Sequence, residues 1–152
     1  MNNQNNDVSR VLAELYAWLI VIGAKLTDFG EALQDTYGNE VDIVKQTQLL
    51  ISAVRVCIDQ LRNQEPRLDK LPLESIISIK NNNFNFDKLN FKKDHSKFDF
   101  RILFNNFIVV EEYTIKLKTN LKRLKVNPIL IEEVEEIALD ANKLIEIVED
   151  YI

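Results

Sequence analysis

Leu15-Tyr16-Ala17-Trp18-Leu19-Ile20-Val21-Ile22-Gly23-Ala24 is an uncharged apolar run bounded by Glu14 and Lys25. It belongs to a longer pattern. Leu12, Leu15, Leu19, Ile22, Leu26, Phe29 and Leu33 recur at alternating spacings of three and four, and Val8 precedes them in phase. That spacing lines one side of an α-helix with apolar side chains, as in helices packed side by side along a seam. The uncharged run is about half the length that crosses a bilayer. It predicts a core helix, capped by Asp7 or Ser9 and ended near Thr36 by Gly38 in a left-handed turn.

Three more stretches repeat the pattern. A second helix starts near Asn39, its expected cap, with the seam Ile43, Thr47, Leu50, Val54, Cys57 and Leu61. Val44, Ile51 and Ile58 widen its stripe, and Pro66 ends it by disfavouring helix at the residue before. A third helix spans about 100–125, with the seam Leu103, Phe107, Val110, Thr114, Leu117, Leu121 and Leu124. The fourth has the clearest start: Asn127 as cap, Pro128 at the first helical position, and Glu132 and Glu133 in the opening turns. Its seam is Leu130, Val134, Ile137, Ala141, Leu144, Val148 and Tyr151.

Four such seams predict an all-α fold, an antiparallel four-helix bundle with long helices. A long Phe/Asn/Lys-rich connection joins helices 2 and 3, and its length also permits a crossover topology. Residues 1–6 are expected to be a disordered tail, and 7–152 one helical domain with 66–99 as an irregular insertion. Within it, Leu73–Ile79 suits a short helix or a strand. Phe84/Phe86 and Phe98/Phe100 alternate as in a hairpin. The phenylalanines are expected to pin this segment onto the helices.

The length of 152 residues fits a single core, and three glycines with three prolines favour few, long elements. The net charge of −5 hides an asymmetry. Residues 7–62 carry −3, residues 65–125 carry +5, and residues 132–150 carry −7. The single cysteine, Cys57, fits a reducing compartment, and the Asn-rich start lacks the cationic region of a signal peptide. A soluble cytoplasmic protein is expected, with no membrane partner.

No motif carries chemistry. Metal-binding bundles project carboxylates and histidines inward, but every seam position here is apolar or Thr. His95 sits in a charged loop, and with Cys57 it falls short of a zinc ligand set. Gly23, Gly30 and Gly38 fit no phosphate-binding spacing. Gly23 and Gly30 share a flank of the first helix with Tyr16, which suits a close helix approach or a shallow groove and equally suits glycines that are merely tolerated there. A protein that is not an enzyme is expected, with neither cofactor nor metal.

The first three helices carry more apolar surface than one seam uses. Ala17, Trp18, Ile20, Val21 and Ala24 fall off the seam of the first helix, and Leu49 and Val56 off that of the second. Ile108, Val109 and Ile115 do so in the third, and Leu139 and Ile147 in the fourth. The surplus requires a cover: the Phe-rich segment, a second copy of the chain, or another protein anchored on Trp18. The reading that follows is a helical interaction or assembly module, self-associating through the outward face of the first two helices. One alternative is a small acidic inhibitor of immunity or antitoxin type, presenting Glu132, Glu133, Glu136 and Asp140 to a basic partner. Another is a nucleic-acid accessory subunit using Lys88, Lys92, Lys93 and Lys97 among the phenylalanines, with the basic third helix. The overall acidic balance disfavours nucleic acid.

Overall fold

The computed structural model describes residues 3–89 and 98–152. The described chain is all-helical: α1 (Asn3–Tyr37), α2 (Asp42–Gln64), α3 (Leu73–Lys80), α4 (Phe100–Arg123) and α5 (Pro128–Glu149). Two 3-10 turns, Pro66–Lys70 and Phe86–Lys88, sit in the connection between α2 and α4. No strand occurs among the described residues, so the hairpin expected around Phe84/Phe86 and Phe98/Phe100 is absent there. Phe86 opens a 3-10 turn and Phe100 opens α4. The aromatic alternation has a different cause: Phe84, Phe86 and Phe98 pack their rings against the core, and Phe100 is buried in it.

The helix ends follow local chemistry with two exceptions. Gly38 takes φ +82° and donates its N–H to the Gln34 carbonyl at 2.8 Å, closing α1 as glycine readily does. Asn127 accepts from the Ile129 N–H and Pro128 follows it, as expected for α5. Asp99 caps α4 through the Arg101 N–H. However, α1 begins at Asn3, upstream of the expected Asp7 or Ser9 cap and inside the stretch read as a tail. And α2 begins at Asp42 behind Val41, which offers no side-chain cap, so Asn39 does not cap it. Its first turn carries Asp42 itself, whose charge complements the helix dipole.

The four long helices pack in chain order, and α5 closes back on α1. Cross-links fix their directions. Gln60 joins Asn106 at 2.8 Å and Gln46 joins Asn120 at 3.0 Å, so α2 and α4 run antiparallel. Tyr16 meets Arg62, while the space beside Gly30 faces Thr47, so α1 and α2 do too. The seams meet in one core: Leu12, Leu15, Leu19, Ile22, Leu26, Phe29 and Leu33 are buried, as are Leu50, Val54, Leu61, Leu103, Phe107, Val110, Leu117, Val134, Ile137 and Leu144. Thr47 and Thr114 sit in it because each hydroxyl donates to the carbonyl one turn back, Ile43 at 2.8 Å and Val110 at 2.7 Å. Leu124 and Tyr151 depart from their expected seam role: both lie beyond the last helical turns and are exposed.

Candidate interaction surface

The outward apolar residues of α1 and those of α2 meet different surroundings. Helix α3 packs against α1, with its last residue beside Trp18. Its Ile76 and Ile79 are buried, and the Lys80 ammonium sits 4.9 Å from the centre of the Trp18 ring. Ala13 and Ala17 of α1 are both fully buried. Further along, Arg10 lies over the Phe86 ring at 4.4 Å. Ala17 is therefore not an outward residue. Trp18, Ile20 and Val21 are half-buried and pack against the core. The cover comes from residues 73–80 and the Phe84–Leu89 stretch, so the chain itself takes up most of the surplus of its first helix.

Ile20 and Ala24 line a groove of about 500 Å³ between α1 and α2, floored by Gly23, Ile51, Val54 and Ile58. Its rim is charged: Asp28, Arg55, Asp59 and Arg62. Arg62 bonds the Tyr16 hydroxyl, which raises its pKa, and pairs with Asp69 at 3.2 Å. A methyl at Gly23 would meet only side chains at 3.8 and 3.9 Å, so close helix approach does not demand glycine there. At Gly30 the same methyl meets Thr47 at 3.4 Å, and the packing is tighter.

Leu49 and Val56 lie on the opposite flank of α2, in the groove it forms with α4. They are 57% and 54% exposed. Around them the groove, of about 270 Å³, is lined by Ser52, Ala53, Asn106, Val109 and Tyr113. Ile102, one turn before Asn106 on α4, is 59% exposed. The Gln46–Asn120 and Gln60–Asn106 bridges cross the groove at either end of this patch. The seven residues expected to form one interface thus do not share one: Ala17 is buried, Trp18 and Val21 pack against the core, and Ile20 and Ala24 lie across the body of α2 from Leu49 and Val56. Heptad position marks a residue as off the seam without saying toward which neighbour it leans. Tyr113 and Ile102 were not singled out from the sequence. A signal for them exists: Leu49, Val56, Ile102, Val109 and Tyr113 each precede a buried seam residue by one position.

The acidic face is less available than its composition implies. Lys25 of α1 binds Asp140 at 2.8 Å and Glu136 at 3.0 Å. Burial opposes the charge on Lys25, but the hydrogen bonds it donates to Asp140 and Glu136 outweigh it and raise its pKa. The same contact holds the Glu136 carboxyl below its ordinary range. Two of the four acids are therefore engaged in joining α5 to α1, leaving Glu132 and Glu133 exposed. Of the lysines expected near nucleic acid, Lys88 is exposed, whereas Lys92, Lys93 and Lys97 lie outside the described residues. Phe84 and Phe86 stack edge-on at 5.4 Å, and Phe98 and Phe100 at 4.7 Å, so these rings serve the fold.

Among the described residues no group of three His, Cys, Asp or Glu side chains is arranged to hold a metal. His95 lies outside them. Cys57 is buried in the core, and burial pushes its thiol up to about 12, which leaves it unreactive at neutral pH. No described helix is long and apolar enough to cross a membrane. Comparison with protein-family models, with curated proteins and with solved structures finds no match.

Proposed function

We propose that this chain is a non-enzymatic helical assembly module that self-associates, built as an antiparallel four-helix bundle of α1, α2, α4 and α5 with α3 as an added cover. The bundle reading rests on the chain-order packing and the two antiparallel cross-links between α2 and α4. The function rests on one observation. Leu49, Val56, Val109 and Tyr113 line one groove across two helices, with Ile102 exposed on α4 one turn before Asn106 of that groove, and all five stay exposed. Burying large side chains of this kind yields about 1.5–3 kcal/mol each, enough in sum for a stable association.

The associating face is therefore placed on α2 and α4, not on the α1 and α2 surface expected from the sequence. Ile20 and Val21 pack on the core, and replacing them tests stability more than assembly. Sedimentation equilibrium of the full chain is expected to give a dimer or larger species. Val56→Glu is expected to give a monomer with an unchanged helical circular dichroism spectrum. A wild-type chain that stays monomeric at high micromolar concentration overturns the proposal.

A further inference from the structure

We infer that the occupant of the α2/α4 face is a second copy of this chain, stacked antiparallel about a two-fold axis that passes beside Ser52 and Ala53 of α2 and Tyr113 of α4. The inference rests on the self-association proposed above and adds its geometry. A two-fold interface brings the same patch together from both copies, so the patch must complement itself when reversed end for end. Three features of the face are symmetric about one level.

The first is the frame. Gln46 and Gln60 lie equally far to either side of Ala53, and their partners Asn120 and Asn106 equally far from Tyr113. The two bridges hold the helices at a fixed separation at both ends, with the small side chains of Ser52 and Ala53 between them. The second is the apolar content of α2. Leu49 and Val56, the two most exposed apolar side chains of α2, flank Ser52–Ala53, and reversal sets each Leu49 against Val56 of the other copy. The third is charge. Lys45 and Asp59 lie on opposite sides of Ser52, and Glu112 and Lys116 on opposite sides of Thr114. Reversal brings Lys45 toward Asp59 of the second copy and Lys116 toward Glu112 of the second copy, twice each.

All four charged side chains are on exposed residues, and Asp59, one heptad on from Ser52, lies where this face meets the rim of the α1/α2 groove. Lys45 makes one long, exposed contact with Glu40 at 3.7 Å. Asp59, Glu112 and Lys116 make no ion pair among the described residues. The parallel alternative sets α2 of one copy against α4 of the other at the same height. It offsets Lys45 from Lys116, and Asp59 from Glu112, by about 7.5 Å along the axis, so the nearest charges across the interface are alike and neither cation meets an acid. Charge complementarity therefore selects the antiparallel stack.

Paired charge reversal tests this. Lys116→Glu alone and Glu112→Lys alone each convert two attractive contacts into repulsive ones. Each is expected to weaken self-association by on the order of tenfold or more. An equimolar mixture of the two variants restores both pairs, so heterodimers are expected to form in preference to either homodimer. The double variant Glu112→Lys/Lys116→Glu is expected to dimerise like the wild type. Thermal unfolding of each variant serves as the folding control, since both positions are exposed. As an independent readout, Ser52→Cys is expected to give a disulfide-linked dimer on mild oxidation, and Gln48→Cys is not. A wild-type dimer indifferent to both reversals, or a mixture that does not favour heterodimers, overturns the antiparallel geometry and leaves self-association standing. A monomeric wild type overturns both.

Discussion

The outer face of α1 and the groove face of α2 and α4 start from the same sequence feature and end differently. Both carry apolar residues off the seam. On α1 the chain returns after Pro66 and packs α3 against it, with Ile76 and Ile79 of α3 and Ala13 and Ala17 of α1 all buried, so the surplus becomes core. On α2 and α4 no described segment returns, and Leu49, Val56 and Val109 stay exposed. An excess of apolar residues is therefore no sign of a binding face until the rest of the chain has been placed. What distinguishes the two is the chain between α2 and α4, whose described residues pack over the first face and not the second.

Truncation of the cover gives the largest contrast. Ile79 is 1% exposed, and Ile79→Ala is expected to cost about 2–4 kcal/mol in urea unfolding through the cavity it leaves. Val56→Ala, measured on the monomer at low concentration, is expected to change stability by about 0.5 kcal/mol or less. Equal costs at the two sites would erase the distinction between a covered and an open face.

The α1/α5 flank gives a smaller effect. Lys25→Met leaves the largely buried Asp140 without its cation and is expected to lower stability by about 1 kcal/mol at pH 7 and moderate salt. Its pH dependence has a definite sign. The Glu136 pKa is lower in the folded chain, so its contribution is full above the unfolded value and fades as pH falls through the folded one. The Lys25 pKa is raised, so its contribution is full below its ordinary 10.5 and is lost as pH rises through the raised value. The gap between wild type and Lys25→Met should therefore narrow toward both acid and alkaline pH. A gap unchanged between neutral pH and pH 3 would argue against the ion pair.

The glycines of α1 give the smallest effects. Gly23→Ala is expected to stabilise by about 0.5–1 kcal/mol, because the added methyl finds only ordinary contacts and the unfolded chain loses freedom. Gly30→Ala is expected to gain less, since its methyl presses on Thr47 at 3.4 Å. A loss at Gly23 would mean that the groove between α1 and α2 closes more tightly than its contacts show.

The helices were legible because burial on one side imposes a period that residues 12–33 or 103–121 display directly. Ends marked by Gly38, Pro66 or the Asn127–Pro128 pair were legible for the same local reason: backbone geometry restricts which residues fit. Val41, ahead of α2, carries no such mark, and the start at Asn39 was misplaced. The residues of the open face were half legible. Leu49 and Val56 stood out, but Ile102 and Tyr113 did not, since the neighbour that α4 would meet was unknown.

Sequence alone determined the all-helical class, the four seams, the inert placement of Cys57 and the sites of surplus apolar surface. These follow from periodicity and from the preferences of single residues. Only the tertiary structure decided that α3 packs against α1 and that Ala17 is buried, that Glu136 and Asp140 are engaged by Lys25, and that α2 separates Ile20 from Leu49. Each of these depends on contacts between residues far apart in the chain, which local preferences do not encode.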